Sequence, residues 1–267
     1  MAEPGLLIER IGPIARLSHN RPERRNAQSA AFLDALDSAL ADAIADPAVR
    51  VIVLGATGAH FSAGHYLKDP DTMRHQRNPE DRYEFESRCY RDYALRLWDA
   101  PKPVIAQVQG ACIAAGFMIA NMCDLIVASD DAFFADPVVG AVAISGVEML
   151  VHPWVMGLRQ AKEFLYAGGR VTAAEALAMG MVNRVVPRAD LEGVTLELAE
   201  RIARSSPFAL RLMKRSLNRT AEIQGFRAAL DAHFDTHQLS HMSTDGQART
   251  AGDMGAAIGA MKRGSSV

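Results

Sequence analysis

The strongest constraint on this chain is a pair of short buried strands, each followed by a turn of small residues. Val51-Ile52-Val53-Leu54 is an unbroken apolar run, the pattern of a strand covered on both faces. Residues 104–108, opened by Pro101 and Pro103 and closed at Gly110, read as a second such strand. Between them the spacing predicts an amphipathic helix over 83–99, and after them a strand over 124–128. Ahead of the first run, residues 6–10 and 14–18 flank Gly12-Pro13 as a hairpin. A helix over 29–45 follows, capped by Ser29, with Phe32, Leu33, Leu36, Leu40 and Ile44 on one face. Buried strands alternating with helices define a mixed α/β core.

The second half is more helical. A helix over 159–167 ends at Gly168-Gly169, and Thr172-Ala173-Ala174-Glu175 is a capping box opening a short helix closed by Gly180. Residues 182–186 form a short strand stopped by Pro187, and two or three helices fill 191–241, one starting near Pro207. The polar stretch 74–82 reads as a mobile loop and the tail past Gly246 as poorly ordered. This divides the chain into a core over 1–190 and a helical region over 191–267.

Composition narrows the function classes. Lys and Arg total 29 against 31 Asp and Glu, a net charge of -2, which excludes a nucleic-acid binder relying on a broad basic face. There is no polybasic anchor, no apolar run long enough to span a membrane and no secretory signal pattern. Cys89, Cys112 and Cys123 lack metal-finger spacing or a disulfide framework, so they read as reduced packing residues in a cytoplasmic protein. No Gly-x-Gly-x-x-Gly fingerprint follows the first strand, which removes a nicotinamide-dependent oxidoreductase.

Two turns could carry chemistry. Phe61-Ser62-Ala63-Gly64-His65 can aim the His65 N–H at a ligand, and Gly110-Ala111-Cys112-Ile113-Ala114-Ala115-Gly116 lets a ligand approach the main chain. Two N–H donors from separate loops suit an oxyanion hole; ordinary strand-to-helix turns have the same composition.

Asn20-Arg21-Pro22-Glu23-Arg24-Arg25-Asn26-Ala27, Phe61-Ser62-Ala63-Gly64-His65-Tyr66-Leu67-Lys68 and residues 110–124 follow one another in an order and spacing that resemble the crotonase superfamily of enoyl-CoA hydratases and isomerases. Residues 173–187 are similar to the family's stretch before its C-terminal helices. The resemblance implies a crotonase-like spiral of ββα units and a C-terminal helical region that packs trimers or dimers of trimers. It also implies an acyl-CoA thioester as ligand, with coenzyme A as part of the substrate and no separate cofactor. Carried over by position, the oxyanion donors are the N–H groups of His65 and Ala115. Arg24, His65, Tyr66, Leu67, Lys68 and Ala115 then line the acyl-CoA site, where Arg24 and Lys68 either pair with phosphates or stay solvated.

The sequence departs from the family where its hydratases place two glutamates: Met118 and Val138 occupy those positions. Replacement proton carriers are sought in Glu148, Asp136 and His65. Each has a plainer reading: a helix N-terminal carboxylate for Glu148, a structural hydrogen bond for Asp136, and channel shape for His65. His233, His237 and His241 repeat at four-residue spacing along one helical face. Without a carboxylate or cysteine in fixed geometry they read as a polar face near a subunit contact, and no metal site is expected. Two functions remain: an enolate-stabilising enoyl-CoA hydratase or isomerase (a lyase or isomerase), and a non-catalytic acyl-CoA binding protein.

Overall fold

The structure, a computed structural model, describes residues 5–76 and 78–251. Among these the strands are β1 (Leu6–Ile11), β2 (Ile14–His19), β3 (Val51–Ala56), β4 (Val104–Val108), β5 (Ala111–Ile113), β6 (Leu125–Ser129), β7 (Phe133–Ala135), β8 (Arg170–Thr172) and β9 (Arg184–Val186). β1 and β2 form the expected hairpin, with Ile11 opposite Ile14. From β2 onward the neighbours are parallel, giving a six-stranded sheet in the order β1-β2-β3-β4-β6-β9. A smaller sheet runs β5-β7-β8, and Ser62 pairs with Cys112 to extend it.

The chain therefore repeats one move. A strand in the long sheet is followed by a short strand in the small one, as in β4 to β5 and β6 to β7, and a helix follows. This is the expected ββα spiral. Its chemistry sits where the chain leaves the long sheet, on the turns after β3 and β4.

The unbroken apolar runs have a clear cause. Ile52, Leu54, Val104, Ala106 and Val108 face a core shared with the helices Ala30–Ala45 and Ala115–Asn121. Val51, Val53, Ile105 and Val127 point the other way, against Leu198 and Ala199 of the helix Leu191–Ala203. Alternating side chains meet apolar partners on both sides, so these strands are nearly all apolar, with Gln107 of β4 and Ser129 of β6 as buried polar exceptions. The helical region after residue 190 thus begins by covering one face of the sheet. It continues through Pro207–Ile223, Phe226–Ser240 and Thr244–Ala251. Phe226 and Leu230 join the main core. Lys214 ties the second of these helices inward, at 2.8 Å from Asp124 Oδ2, while that same oxygen accepts the Val104 N–H.

Local signals hold closely. The Ser29 hydroxyl accepts the Phe32 N–H, and Thr172 and Glu175 form a reciprocal capping box. Burial pushes the thiols of Cys89, Cys112 and Cys123 up, which suits inert packing residues.

Three expectations change. The stretch read as a mobile loop over 74–82 ends one helix, Pro70–His75, and starts another, Pro79–Glu86, with the Asn78 side chain capping Asp81 N–H; Arg77 lies outside the described residues. Asn78 followed by Pro79 is a helix start that high polarity masked. The single helix over 83–99 contains a π-helical interval, Ser87–Asp92, joined to the α-helix Tyr93–Asp99. The tail begins with a helix to Ala251, and residues 252–267 lie outside the described residues.

Candidate active site

The two turns expected to supply N–H donors are brought edge to edge. In the first, Gln28 pairs with His65 as an isolated parallel bridge: Gln28 N–H donates to Gly64 O, and Tyr66 N–H donates to Gln28 O. That pattern uses the groups on either side of His65 and turns its own N–H away. Gly64 sits at φ +92°, a conformation that disfavours any side chain. In the second turn Ala114 adopts φ 50° and ψ −116°, a strained conformation for a residue with a Cβ. Its N–H is held by Ala135 O, and Ala115 opens the following helix. Among the described residues neither His65 N–H nor Ala115 N–H donates to a protein acceptor. Gly116 makes the approach possible: a Cβ there would lie 2.8 Å from Ser62 O.

A cleft of about 480 Å³ opens beside these donors and is lined by Arg24, His65, Tyr66, Leu67 and Lys68. The Arg24 guanidinium lies 5.0 Å above the Tyr66 ring and donates to its hydroxyl. An inner cavity of about 130 Å³ lies behind, with His65 and Leu67 in both walls and Ala114, Val138, Tyr90 and Glu148 on its far sides. The two spaces share a neck of Ala63, His65 and Leu67; Ala115, expected in the lining, is wholly buried and lines neither.

His65 controls the neck. Its ring stacks on Tyr90 with centroids 3.7 Å apart, its Nε2 lies 3.4 Å from Glu148 Oε2, and its buried Nδ1 has no partner. Glu148 is 6% exposed and sits in no helix, so the plainer reading of a helix-capping carboxylate does not apply. Burial works to raise its pKa, but the His65 and His237 rings beside it outweigh that and hold it down to about 2. A carboxylate so placed stays ionised through the physiological range. Burial, with Glu86 and Glu148 nearby, pushes the Tyr90 phenol well above its ordinary value.

Asp136 is a correction. In a continued strand it would share a face with Val138, but the chain turns into the helix Val138–Val142 instead. Its carboxylate is wholly buried, accepts the N–H groups of Val138 at 3.2 Å and Val147 at 3.4 Å, and lies 3.3 Å from His152 Nε2. It lines neither the cleft nor the inner cavity and acts as the brace for the loop that carries Glu148. Val138 does line that cavity, and Met118 packs beneath His65 and Tyr90.

The histidine stripe is the second correction. His237 is 1% exposed and donates from Nδ1 to Gly146 O, and His233 Nε2 meets Val147 O. The stripe therefore packs against the Glu148 loop inside this chain, not on an outer face. The carboxylate it lacked comes from Glu86, far away in sequence, whose Oε2 is 3.5 Å from His237 Nε2. Glu86 and Tyr90 escaped the sequence reading because only the fold turns their helix toward this cavity. Their four-residue spacing was the available signal, and it is shared by many surface pairs.

Among the described residues no helix is long and apolar enough to cross a membrane. Comparison with known proteins bears on the family and the fold. Residues 9–251 match the family model described as enoyl-CoA hydratase/isomerase. The chain is 42% identical over 248 residues to EchA13 of Mycobacterium tuberculosis, whose name places it with the enoyl-CoA hydratases, covering 86% of this chain and 78% of that protein. Among solved structures, a probable enoyl-CoA hydratase from Mycobacterium smegmatis superposes with a TM-score of 0.85 at 46% identity, over 92% of this chain and 97% of that one. An enoyl-CoA hydratase/isomerase from Xanthobacter autotrophicus Py2 gives 0.87 at 31% identity, over 97% of both chains. With the spiral fold, the paired turns and these likenesses together, the chain belongs to the enoyl-CoA hydratase/isomerase family of the crotonase superfamily.

Proposed function

We propose that the protein binds an acyl-CoA thioester and stabilises its enolate at the N–H groups of His65 and Ala115, with Glu148 moving the proton. The carrying observation is the pair of unpartnered N–H groups on adjoining turns. Backbone donors suffice because the thioester oxygen gains its negative charge only as the enolate forms, and fixed donors need no reorganisation then. The outer cleft suits the nucleotide portion, with Arg24 and Lys68 as phosphate partners, and the inner cavity suits a short acyl group. Glu148 takes a proton from carbon, and His65 holds its carboxylate in place at 3.4 Å. Returning the proton to a different carbon isomerises the double bond. That route needs one carboxylate, whereas hydration by two glutamates would need groups that Met118 and Val138 cannot supply. The three buried free thiols suit a cytoplasmic, reducing location.

Self-association belongs to the same reading. On the helix Pro207–Ile223 the large residues Phe208, Leu212, Met213, Leu217 and Ile223 are all exposed, and Lys214 is its one buried residue among those described. A second and third copy of this chain are the proposed cover, giving a homotrimer or a dimer of trimers.

The apolar character of Met118 and Val138 favours a second reading, an acyl-CoA binding protein without turnover. Exchange of the thioester α-protons in deuterated buffer separates the two. It requires only an enolate and one base, so it should be seen by mass spectrometry with at least one short acyl-CoA. Tight binding with no exchange across a panel of saturated and unsaturated acyl-CoAs selects the binding protein.

A further inference from the structure

We propose that Glu86, His237 and His241 form a binding site for a zinc-like divalent metal ion at the inner end of the small cavity. The argument begins with the His237 tautomer. Nδ1 faces Gly146 O at 2.8 Å, and a carbonyl can only accept, so Nδ1 carries the proton. In the neutral ring Nε2 is then a lone pair. Two further electron-pair donors converge on it: His241 Nε2 at 3.2 Å and Glu86 Oε2 at 3.5 Å. The three ligand atoms lie within 4.8 Å of one another. That point takes either a proton, on His237 or His241 Nε2, or a metal.

Distance favours the metal. A charge-assisted N–H···O bond draws its heavy atoms to about 2.7–2.9 Å. The Glu86–His237 separation of 3.5 Å is well beyond that. Tetrahedral zinc with bonds of about 2.0–2.2 Å to N and O places neighbouring ligand atoms about 3.3–3.5 Å apart. The observed 3.2 and 3.5 Å lie near that edge, and the Glu86–His241 pair, within 4.8 Å, closes toward it as the metal binds.

The surroundings are those of a built site. Glu86 is 1% exposed, and its two oxygens accept from Gln76 Nε2 at 3.1 Å and Gln238 Nε2 at 2.6 Å, which fixes the carboxylate. The Gly146 carbonyl orients His237 in the way outer partners orient metal-bound imidazoles. On the cavity side the nearest other group is Glu148, whose Oε1 is 3.8 Å from His237 Nε2. Three protein ligands and a fourth position toward a cavity is the arrangement that leaves a metal free to take a small oxygen ligand. The site does not depend on acyl-CoA chemistry, so either proposal can fail without the other.

The test uses the full chain without a histidine tag, loaded with zinc and dialysed against zinc-free buffer. Elemental mass spectrometry should find about one zinc per chain, as expected for a single set of three ligands. His241→Ala removes a half-buried ligand at a helix end and should lower retained zinc at least about tenfold, with circular dichroism checking the fold. His233→Ala, on the same stripe but outside the set, should keep it. Cobalt(II) in place of zinc should give the strong visible absorption of tetrahedral coordination, lost in His241→Ala. Wild-type protein that retains no zinc and shows no rise in melting temperature with added zinc places a proton at the centre and overturns the proposal. So does zinc retained in full by His241→Ala.

Discussion

A Cβ atom placed on Gly64 would lie 3.4 Å from the amide nitrogen of Ala115. The two donor turns therefore share a wall with no spare room, and a single methyl group tests whether their spacing matters. Gly64→Ala adds contacts of 3.1 Å to Ala114 Cβ and Ile113 O at a φ of +92°. It should cost about 1–3 kcal/mol of stability in urea unfolding. Displacing one donor should lower turnover, or α-proton exchange, by about 10²–10³. Wild-type turnover in this variant would remove the donor pair from the mechanism.

Glu148→Gln keeps the shape of the side chain and removes its charge. Proton exchange should fall by about 10²–10⁴ while acyl-CoA affinity, read by calorimetry, stays close to wild type. A parallel loss of affinity would instead make Glu148 a wall of the pocket.

Met118 and Val138 set an expectation for hydration. With no carboxylate at either position, water addition to a short straight-chain enoyl-CoA should run about 10³-fold or more below a relative that has both. Met118→Glu combined with Val138→Glu should raise it. The gain is limited because a carboxylate inserted in this apolar wall is pushed toward its neutral form. Wild-type hydration as fast as that relative contradicts the argument from the missing groups.

His19 gives a pH signature away from the site. Burial lowers its pKa to about 4, outweighing the hydrogen bond to Gly55 O, and the ring stacks on Phe32. A histidine whose folded pKa is depressed resists protonation that the unfolded chain accepts. Its contribution is therefore fully present above the unfolded value near 6.5 and is lost as pH falls toward 4. Between pH 7 and pH 5 the loss should be about 2 kcal/mol. Chemical denaturation of His19→Gln should show a shallower decline over the same interval than wild type.

The exposed face of the helix Pro207–Ile223 predicts the assembly. Light scattering should give a trimer or a multiple of three at micromolar concentration. Leu217→Lys, at 64% exposure, should shift the population toward monomer without altering the fold. A wild-type monomer would refute the reading of that face.

Much of this architecture was legible from residues alone because it rests on local chemistry. Ser29, the Thr172–Glu175 box and Gly12-Pro13 act within a few positions of themselves, and the strand runs at Val51 and Val104 announce burial on both faces. The donor turns were legible as a motif, though composition alone left them ordinary. Glu148 was legible as a candidate, but its partners His65 and His237 come from distant segments, and no spacing rule joins them. Asp136 took its plainer reading, a structural hydrogen bond, because β7 ends at Ala135 and the chain turns before Val138. The inward direction of the histidine stripe was hidden for the same reason as Glu86: a helical face can be read from sequence, but not what it meets.

The π-helical interval Ser87–Asp92 lies between Glu86 and the helix Tyr93–Asp99, which is anchored in the core through Ala94 and Leu97. A π-helical turn holds more residues than an α-helical one, so the six residues of this interval cover about the rotation of five α-helical residues. Losing one residue there, with regular winding resumed, would leave Glu86 facing the chamber while Leu97 stayed put. The interval is thus a slack turn in the inner wall. A lineage could gain or lose a single codon there and keep the aim of every side chain on either side of it.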